Sequence, residues 1–225
     1  MTKKLFAVLN VYREAGAHSA AMNMAVDEVL LERATYPVVR FYRWRSPALS
    51  FGYFGRFTDV ASYQNERDLV RRWTGGGIVF HGADLTYSLV IPVSDVAFTK
   101  SSRSIYQQIH QSLCRVFLTD GKPAELLAVA AVYDCHYNDC FENPVLADVI
   151  IDGRKIAGAA QRRTRCGLLQ QGSIQGIDLQ NDLAQRFARE LSVDCRELTL
   201  DDEILNRARE LAEQKYGTDV WLRKR

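Results

Sequence analysis

The sequence lacks the features that would place it among membrane-spanning, secreted or nucleic-acid-binding proteins. Its 225 residues carry a net charge of only +2, which is too small to argue for a nucleic-acid partner. The apolar run in MTKKLFAVLNVYREAG is interrupted by Arg13 and Glu14 before it reaches membrane-spanning length, and no small-residue cleavage site follows. We therefore interpret this run as a first strand.

Cysteine is scarce, and the pattern of its five residues excludes the common cysteine-based architectures. The number is odd, and the spacing does not match a metal-binding motif, since the pair at 135 and 140 has no second pair elsewhere. A cytoplasmic protein with reduced thiols and no metal site is therefore expected. The cysteines are Cys114, Cys135, Cys140, Cys166 and Cys195.

The hydrophobic patterning predicts one domain over residues 1–225, because no repeat, low-complexity tract or linker divides the chain. Strand and helix patterns are mixed without regular βαβ alternation, so we expect an α+β fold with a mixed, largely antiparallel sheet. Helices are predicted at 19–34 and 101–121, strands at 38–44, 48–54, 85–92 and 167–175, and a hairpin at 147–158 turning at Asp152 and Gly153. A last helix is predicted to begin at a Thr199–Asp202 capping box and to end at Gly217.

The segment RRWTGGGIVFHG at 71–82 combines basic side chains with three consecutive glycines. It is not a P-loop, since Ile78 follows the glycines where Lys-Ser/Thr is required, and its spacing does not match a dinucleotide fingerprint. An ordinary glycine turn is one interpretation. The other is a binding surface, because guanidinium groups and backbone N–H groups favour anionic or carbonyl oxygens. Such a surface fits a phosphate or an acyl carbonyl.

Two segments together, RRWTGGGIVFHGADLTYS (71–88) and DGRKIAGAAQRR (152–163), resemble the signatures of the lipoate–protein ligase and octanoyltransferase family, which is related to biotin–protein ligases. The Gly-Arg-Gly-Arg type loop of biotin ligases is absent. The resemblance implies a central mixed sheet flanked by helices and an acyl tunnel. The C-terminal accessory domain that classical bacterial ligases of this family carry is not expected here. Four further segments occur in the family's order: MNMAVDEVLL (22–31), VVRFYRWRSPALSFGYF (38–54), LLQQGSIQ (168–175) and KYGTDVW (215–221).

The resemblance also implies a set of site residues. Lys155 matches the family's active-site lysine, whereas its pattern alone indicates an ordinary exposed hairpin residue. A fixed ammonium beside a reacting carbonyl would stabilise the developing oxyanion. The residues implied to bind substrate are Arg71, Arg72, Gly75, Gly76, Gly77, His81, Gly158 and Ala159.

Cys140 lies in a segment similar to the nucleophile segment of one octanoyltransferase branch, with Phe141 and Pro144 also matching. Without the resemblance, a small buried thiol is the simpler interpretation. The resemblance implies a Cys140 acyl-enzyme that takes octanoate from acyl carrier protein. The acceptor would be a lysine of a lipoyl domain or of a glycine cleavage H-type protein. This route needs no cofactor.

Two other functions remain open from the sequence. The octanoyltransferase branch tends to carry arginine at the position of Gly77, whereas ligases keep three glycines. An ATP- and Mg²⁺-dependent lipoate ligase that lacks an accessory domain, or uses a separate one, is therefore the alternative, as is a non-catalytic carrier-binding protein. The basic run at 161–166, with Arg162, Arg163 and Arg165, is either a docking surface for an acidic carrier or a solvated turn.

Overall fold

The computed structural model describes residues 4–14, 16–128, 144–179 and 182–224. Its centre is an eight-stranded sheet, and a second sheet of three strands lies beside it. The strands are β1 (Phe6–Arg13), β2 (Val38–Tyr42), β3 (Ala48–Phe51), β4 (Asp68–Arg71), β5 (Val79–His81), β6 (Leu85–Pro92), β7 (Ala124–Leu126), β8 (Val149–Ile151), β9 (Arg154–Arg163), β10 (Gly167–Ile174) and β11 (Ser192–Leu198).

The large sheet has the order β11-β1-β2-β6-β10-β9-β8-β7. Strand β1 pairs in parallel with β11 and β2, and the remaining neighbours pair antiparallel. The small sheet has the order β4-β3-β5. The predicted α+β fold with a mixed, largely antiparallel sheet is confirmed.

Helices cover both faces of the large sheet. On β6, Tyr87 and Leu89 belong to one apolar core and Val90 belongs to the other, as the twofold alternation of a strand requires. The first core includes side chains of α2 and α3, and the second includes side chains of α1 and α4. The helices are α1 (Ala20–Arg33), α2 (Ser102–Thr119), α3 (Leu183–Leu191), α4 (Asp202–Leu211) and α5 (Asp219–Leu222).

The predicted helices at 19–34 and 101–121 correspond to α1 and α2. Ser19 caps α1 by accepting a hydrogen bond from the Met22 N–H. The predicted cap of α4 is wrong, because the Asp201 carboxylate, not Thr199, accepts from the first turn, at Ile204 N. An Asp at the N-cap satisfies the same backbone donor, so the capping box is not needed.

Pro47 precedes β3 at the point where the chain passes from the large sheet to the small one. Strand β2 pairs with β1 and β6, whereas β3 pairs with β4 and β5. This change of sheet places β3 and β5 near the strands β9 and β10 that carry the candidate site. Within the described ranges, the helices are too short or too polar to cross a bilayer.

Candidate functional site

A cavity that is partly open to solvent lies between α1, the edge of the small sheet and strands β9 and β10. Met24, Trp44 and Val79 contribute apolar walls. Three of the residues implied by the resemblance, His81, Gly158 and Ala159, line the same space. Arg72 and Lys155 line it as well, so the structure brings five predicted site residues together.

The hairpin between β8 and β9 delivers Lys155 to this cavity. Asp152 and Gly153 both have positive φ, 50° and 75°, which is the turn geometry that matches the twist of a two-residue hairpin. The Lys155 side chain is only 2% exposed, and its Nζ lies 2.8 Å from Oδ2 of Asp148, whose side chain is fully buried. An ammonium held in this way is a fixed positive charge at the cavity wall.

Asp148 is itself held by neighbours that sequence reasoning did not identify. Its carboxylate accepts a hydrogen bond from the Val145 N–H at 2.8 Å and another from the Tyr106 hydroxyl. The Tyr106 oxygen in turn accepts from the Ala159 N–H at 3.0 Å. Burial, together with the nearby Asp148 charge, raises the pKa of Tyr106 well above its usual value, so this hydroxyl remains a donor.

His110 holds the backbone at Ala147, the residue before Asp148. Its Nδ1 lies 2.7 Å from the carbonyl oxygen of Ala147, and its Nε2 lies 3.1 Å from the Tyr87 hydroxyl. Burial lowers the pKa of His110 to about 4, so the ring is neutral at neutral pH. Nδ1 therefore donates to Ala147, and Nε2 accepts from Tyr87.

Gly158 is required by the path of the Lys155 side chain. A Cβ at position 158 would lie 2.5 Å from Cε and 2.8 Å from Nζ of Lys155. These distances are shorter than any normal van der Waals contact, so a side chain here would displace the ammonium. The glycine therefore positions Lys155.

His81 lines the same cavity and is fixed by three neighbours. Its Nδ1 is 2.8 Å from Oδ2 of Asp84, its Nε2 is 2.7 Å from Oγ of Ser50, and its ring stacks on Trp44 with centroids 4.1 Å apart. Burial lowers the pKa of His81, although the hydrogen bond to Asp84 opposes this effect. The side chain therefore lies in the cavity as a neutral imidazole.

Asp84 remains a carboxylate. Burial alone would raise its pKa, but hydrogen bonds from His81, Ser173 and Thr86 lower it to about 2. The backbone N–H of Gly82 donates to the same carboxylate at 3.0 Å. Because Asp84 is a permanent acceptor, the proton of the His81 ring lies on Nδ1.

The two neighbouring arginines have different roles. Arg72 lines the cavity and donates to Ser50 Oγ at 2.7 Å and to the carbonyls of Gly75 and Gly77 at 3.0 and 2.8 Å. Arg71 instead donates to backbone carbonyls of the segments 53–55 and 222–224 and to that of Trp221, at distances from 2.6 to 3.0 Å. These contacts fasten the C-terminal segment to β4, and Arg71 is not among the residues that line the cavity.

The glycine segment packs its backbone closely against the backbone at Gly52. Gly76 has φ of +85°, and a Cβ on Gly52 would lie 2.0 Å from the carbonyl oxygen of Gly76. Gly76 and Gly77 line a separate groove with Gly52 and Phe54, and Gly75 is not among the residues that line the cavity. The carbonyl groups of Gly75 and Gly77 thus hold the guanidinium group of Arg72, which lines the cavity.

A buried polar network on α1 was missed by the sequence analysis. Asp27 accepts from Arg40 at 2.8 Å, from Ser88 at 2.6 Å and from Gln171 at 2.7 Å. Gln171 lines the cavity, so the network fixes its amide there. A single arginine in the apolar strand VVRFY, and polar Asn23 and Asp27 four residues apart on α1, are the sequence signals that could have indicated it.

The basic run at 161–166 is mostly engaged within the chain. Arg162 donates to the Trp73 carbonyl at 3.0 Å and lies 4.7 Å from the ring centroid of Tyr53. Arg163 donates to the carbonyl oxygens of residues 98 and 100 at 2.7 and 2.6 Å. Arg165 is exposed. Whether this surface docks a carrier stays a prediction.

Cys140, the predicted nucleophile, and its neighbour Phe141 lie outside the described residues, as does Cys135. Among the described cysteines, Cys114 is buried, and burial raises the pKa of its thiol to about 12. Cys114 is therefore a core residue rather than a nucleophile. Over the ranges that the structure describes, His, Cys, Asp and Glu side chains form no group of three or more that could hold a metal ion.

Solved structures share this architecture. A putative lipoate protein ligase from Thermoplasma acidophilum superposes with a TM-score of 0.73 at 23% identity, covering 96% of this chain and 98% of that chain. A lipoate-protein ligase A bound with ATP gives a TM-score of 0.74 at 22% identity, with coverage of 96% and 98%. The fold is thus that of the lipoate ligases.

Sequence comparisons identify the family. The profile of the lipoyl protein ligase A/B catalytic domain matches residues 19–192, and the chain belongs to this family. An octanoyltransferase LipM of Brevibacillus brevis is 31% identical over 262 aligned positions, covering 91% of this chain and 95% of the relative. The octanoyltransferase LipM of Oceanobacillus iheyensis is 36% identical over 185 positions, covering 77% and 67%. The resemblance stated from the sequence is confirmed.

Proposed function

We propose that this chain is an acyltransferase of protein lipoylation that moves an octanoyl group from a thioester donor to a lysine of a lipoyl domain. The observation that carries the proposal is the buried Lys155 ammonium, fixed 2.8 Å from Asp148 at the wall of a largely apolar cavity. The curated relatives named octanoyltransferase support the same reaction.

The cavity suits an acyl chain. Met24, Trp44 and Val79 offer apolar contacts, while the polar groups on its walls are already hydrogen-bonded within the protein. Burying about seven carbon groups of an octanoyl chain at ~0.8 kcal/mol each contributes several kcal/mol to binding, before the cost of immobilisation. A medium-length chain is therefore bound without a charged anchor at its far end.

In the proposed mechanism the Cys140 thiolate attacks the thioester carbonyl, and the Lys155 ammonium stabilises the oxyanion that forms. The donor thiol leaves, and a thioester on Cys140 remains. The acceptor amine then attacks this thioester, gives up a proton and releases Cys140. Asp148 positions Lys155, and Pro144 leads from the Cys140 segment to Asp148 along the chain. The conversion of a thioester to an amide is downhill and uses no ATP.

We propose acyl carrier protein as the donor, a lipoyl domain or glycine cleavage H-type protein as the acceptor, and the cytoplasm as the location. Exposed Arg165 is a candidate contact for an acidic carrier. The ligase alternative, with lipoate, ATP and Mg²⁺ as reactants, is favoured by one observation. The groove lined by Gly52, Gly76 and Gly77 is rich in glycine, which lets a ligand approach the backbone closely.

The deciding experiment is intact-protein mass spectrometry after mixing the chain with octanoyl-acyl carrier protein in the absence of ATP. The wild type is expected to gain one octanoyl group, and Cys140→Ala is expected to gain none. Adding a lipoyl domain should remove the adduct and modify the acceptor lysine. Cys166→Ala is the matched control, because Cys166 is a half-buried free thiol outside the cavity lining.

An adduct that persists in Cys140→Ala would contradict the covalent route through this residue. If the wild type gains no adduct, and lipoyl-domain modification requires free lipoate, ATP and Mg²⁺, the chain is a ligase and Cys140 is incidental. Acyl binding without turnover under either condition would support the carrier-binding alternative instead.

A further inference from the structure

Three polar side chains at the cavity form a continuous chain of hydrogen bonds that the proposed mechanism does not use. Ser50 Oγ lies 2.7 Å from Nε2 of His81, and Nδ1 of His81 lies 2.8 Å from Oδ2 of Asp84. All three residues are buried. The pairing of β3 with β5 places Ser50 opposite Val79, so His81 is its diagonal neighbour on the same face of the small sheet.

The direction of these hydrogen bonds follows from their outer partners. The Asp84 carboxylate has no proton to donate, and it accepts from Thr86 and Ser173 at 2.7 Å each. The imidazole of His81 must therefore donate to it as well. Nδ1 of His81 therefore carries the proton, and Nε2 is an acceptor. The only group facing Nε2 in this chain of contacts is the Ser50 hydroxyl, which must donate to it.

This is the order of roles in serine hydrolases: a hydroxyl donates to an imidazole, whose other nitrogen is held by a buried carboxylate. Two further contacts are consistent with a nucleophile rather than a structural link. Arg72 donates to Ser50 Oγ at 2.7 Å, where it would stabilise an alkoxide. Trp44 stacks on the His81 ring and donates to Thr86 at 2.7 Å, which fixes the imidazole and the residue beside Asp84 together.

Lys155 lines the same cavity as Ser50 and His81. Its side chain passes over Gly158, which pairs with Ser173 on β10, and the Ser173 hydroxyl donates to Asp84. An acyl carbonyl held in this cavity would therefore be in a space lined by both a hydroxyl nucleophile and an ammonium.

We propose that Ser50, His81 and Asp84 form a second catalytic centre that hydrolyses medium-chain acyl esters and thioesters. Ser50 Oγ attacks the acyl carbonyl while His81 Nε2 takes the hydroxyl proton. The proton then passes to the leaving alkoxide or thiolate, and an acyl ester on Ser50 remains. Water, activated by His81, releases the carboxylic acid and restores the serine. The class of substrate rests on the proposed function, whereas the nucleophile does not.

The test is active-site labelling with an octyl fluorophosphonate, a probe that forms a bond between phosphorus and an activated serine oxygen and releases fluoride. Intact mass spectrometry counts the adducts, and peptide mapping identifies the modified residue. One adduct on Ser50 of the wild-type chain is expected, and Ser50→Ala should remove it. The wild-type mapping needs no variant, so a folding defect cannot obscure the result.

Ser112 provides a matched control. It is also buried, and its Oγ accepts from Arg115 at 2.8 Å as Ser50 accepts from Arg72, but it donates to the Gln108 carbonyl at 3.0 Å instead of to an imidazole. Ser112 should remain unlabelled, and Ser112→Ala should leave the Ser50 adduct intact. If burial and contact with an arginine were sufficient for reactivity, both serines would be labelled.

A kinetic measurement completes the design. In a Cys140→Ala background, which removes the thiol that would also react with an activated ester, hydrolysis of 4-nitrophenyl octanoate is expected to fall on the order of a hundredfold on adding Ser50→Ala, because the nucleophile is removed. A wild-type chain without a Ser50 adduct, an adduct mapped to another residue, or unchanged ester hydrolysis on adding Ser50→Ala to that background would each overturn the triad. Failure of the proposed function has a separate signature, the absence of octanoyl transfer to a lipoyl domain in the wild type.

Discussion

Lys155 and Asp148 form a buried ion pair, with Nζ 2.8 Å from Oδ2 and side chains that are 2% and 0% exposed. Tyr106 and the Val145 N–H supply further donors to the same carboxylate. A buried charge is costly unless it is paired and hydrogen-bonded. Asp148 therefore supplies the counter-charge that holds the buried Lys155 ammonium at the cavity wall.

Replacing Asp148 tests this dependence. We expect Asp148→Asn to lower the free energy of unfolding by about 3–5 kcal/mol, because it leaves the Lys155 charge buried without its partner. Octanoyl transfer should fall at least about tenfold in kcat at a temperature where the variant is folded. Urea unfolding and a transfer assay measure the two effects.

The control for this variant is Asp219→Asn. Asp219 is 78% exposed and lies 3.5 Å from Arg223, and such a surface pair contributes ~0–1 kcal/mol. Equal losses of unfolding free energy in the two variants would show that the buried Asp148–Lys155 pair contributes no more to stability than an exposed pair.

Gly158→Ala should reduce octanoyl transfer much more than it reduces stability. The added Cβ meets side-chain atoms, the end of Lys155 at 2.5 and 2.8 Å and Oδ1 of Asp148 at 3.2 Å, so the lysine can swing away while the backbone of β9 keeps its place. We expect a loss of unfolding free energy of about 1–3 kcal/mol and a much larger proportional loss of octanoyl transfer. Thermal unfolding and steady-state kinetics measure these quantities.

Gly82→Ala is the comparison for Gly158→Ala, since a Cβ at position 82 meets no heavy atom within 4 Å. Its stability and transfer rate should match the wild type. Wild-type activity in Gly158→Ala would mean that the position of Lys155 seen in this structure is not the one used in transfer.

The close approach of Gly52 to the glycine segment predicts a purely structural effect. A Cβ on Gly52 would lie 2.0 Å from the carbonyl oxygen of Gly76 and 2.7 Å from the carbonyl carbon of Gly75, and backbone atoms cannot move aside as a side chain can. Gly52→Ala should lower the unfolding free energy by at least about 2 kcal/mol. Gly75→Ala, which meets no heavy atom within 4 Å, should be close to neutral. Similar urea midpoints for the two variants would exclude this contact as a constraint.

His110 predicts a dependence of stability on pH. Burial lowers its folded-state pKa to about 4 from an unfolded value near 6.5. Between these values the unfolded chain binds a proton that the folded chain does not, so stability is fully present above about pH 6.5 and falls as the pH approaches 4. The expected loss is on the order of 3 kcal/mol.

His110→Gln keeps a donor for the Ala147 carbonyl and an acceptor for the Tyr87 hydroxyl, but it does not titrate. Urea unfolding of both chains between pH 7 and 4 should give curves that converge as the pH falls. Parallel curves over this window would mean that His110 has the same proton affinity in the folded and unfolded states.

Much of the fold could be predicted from local pattern. Strand β6 occupies the predicted residues 85–92, and the Asp152–Gly153 turn forms as expected, because apolar periodicity and turn chemistry act over a few neighbouring residues. The family was indicated by the resemblance of several motifs, and the hairpin that carries Lys155 was predicted from its Asp-Gly turn. The order of strands could not, because it depends on pairings such as β1 with β11 that join distant parts of the chain.

The site itself depended on the tertiary structure. Arg71 and Arg72 are adjacent in sequence, but successive side chains of an extended chain point to opposite sides, and only the packing against α5 decides which one reaches the cavity. Asp148 has no sequence signal as a partner of Lys155, since the hairpin must fold before the two buried side chains meet. The sequence alone therefore determined the elements and the family. Burial, which sets which charges pair and which histidines stay neutral, came only from packing the sheets and helices together.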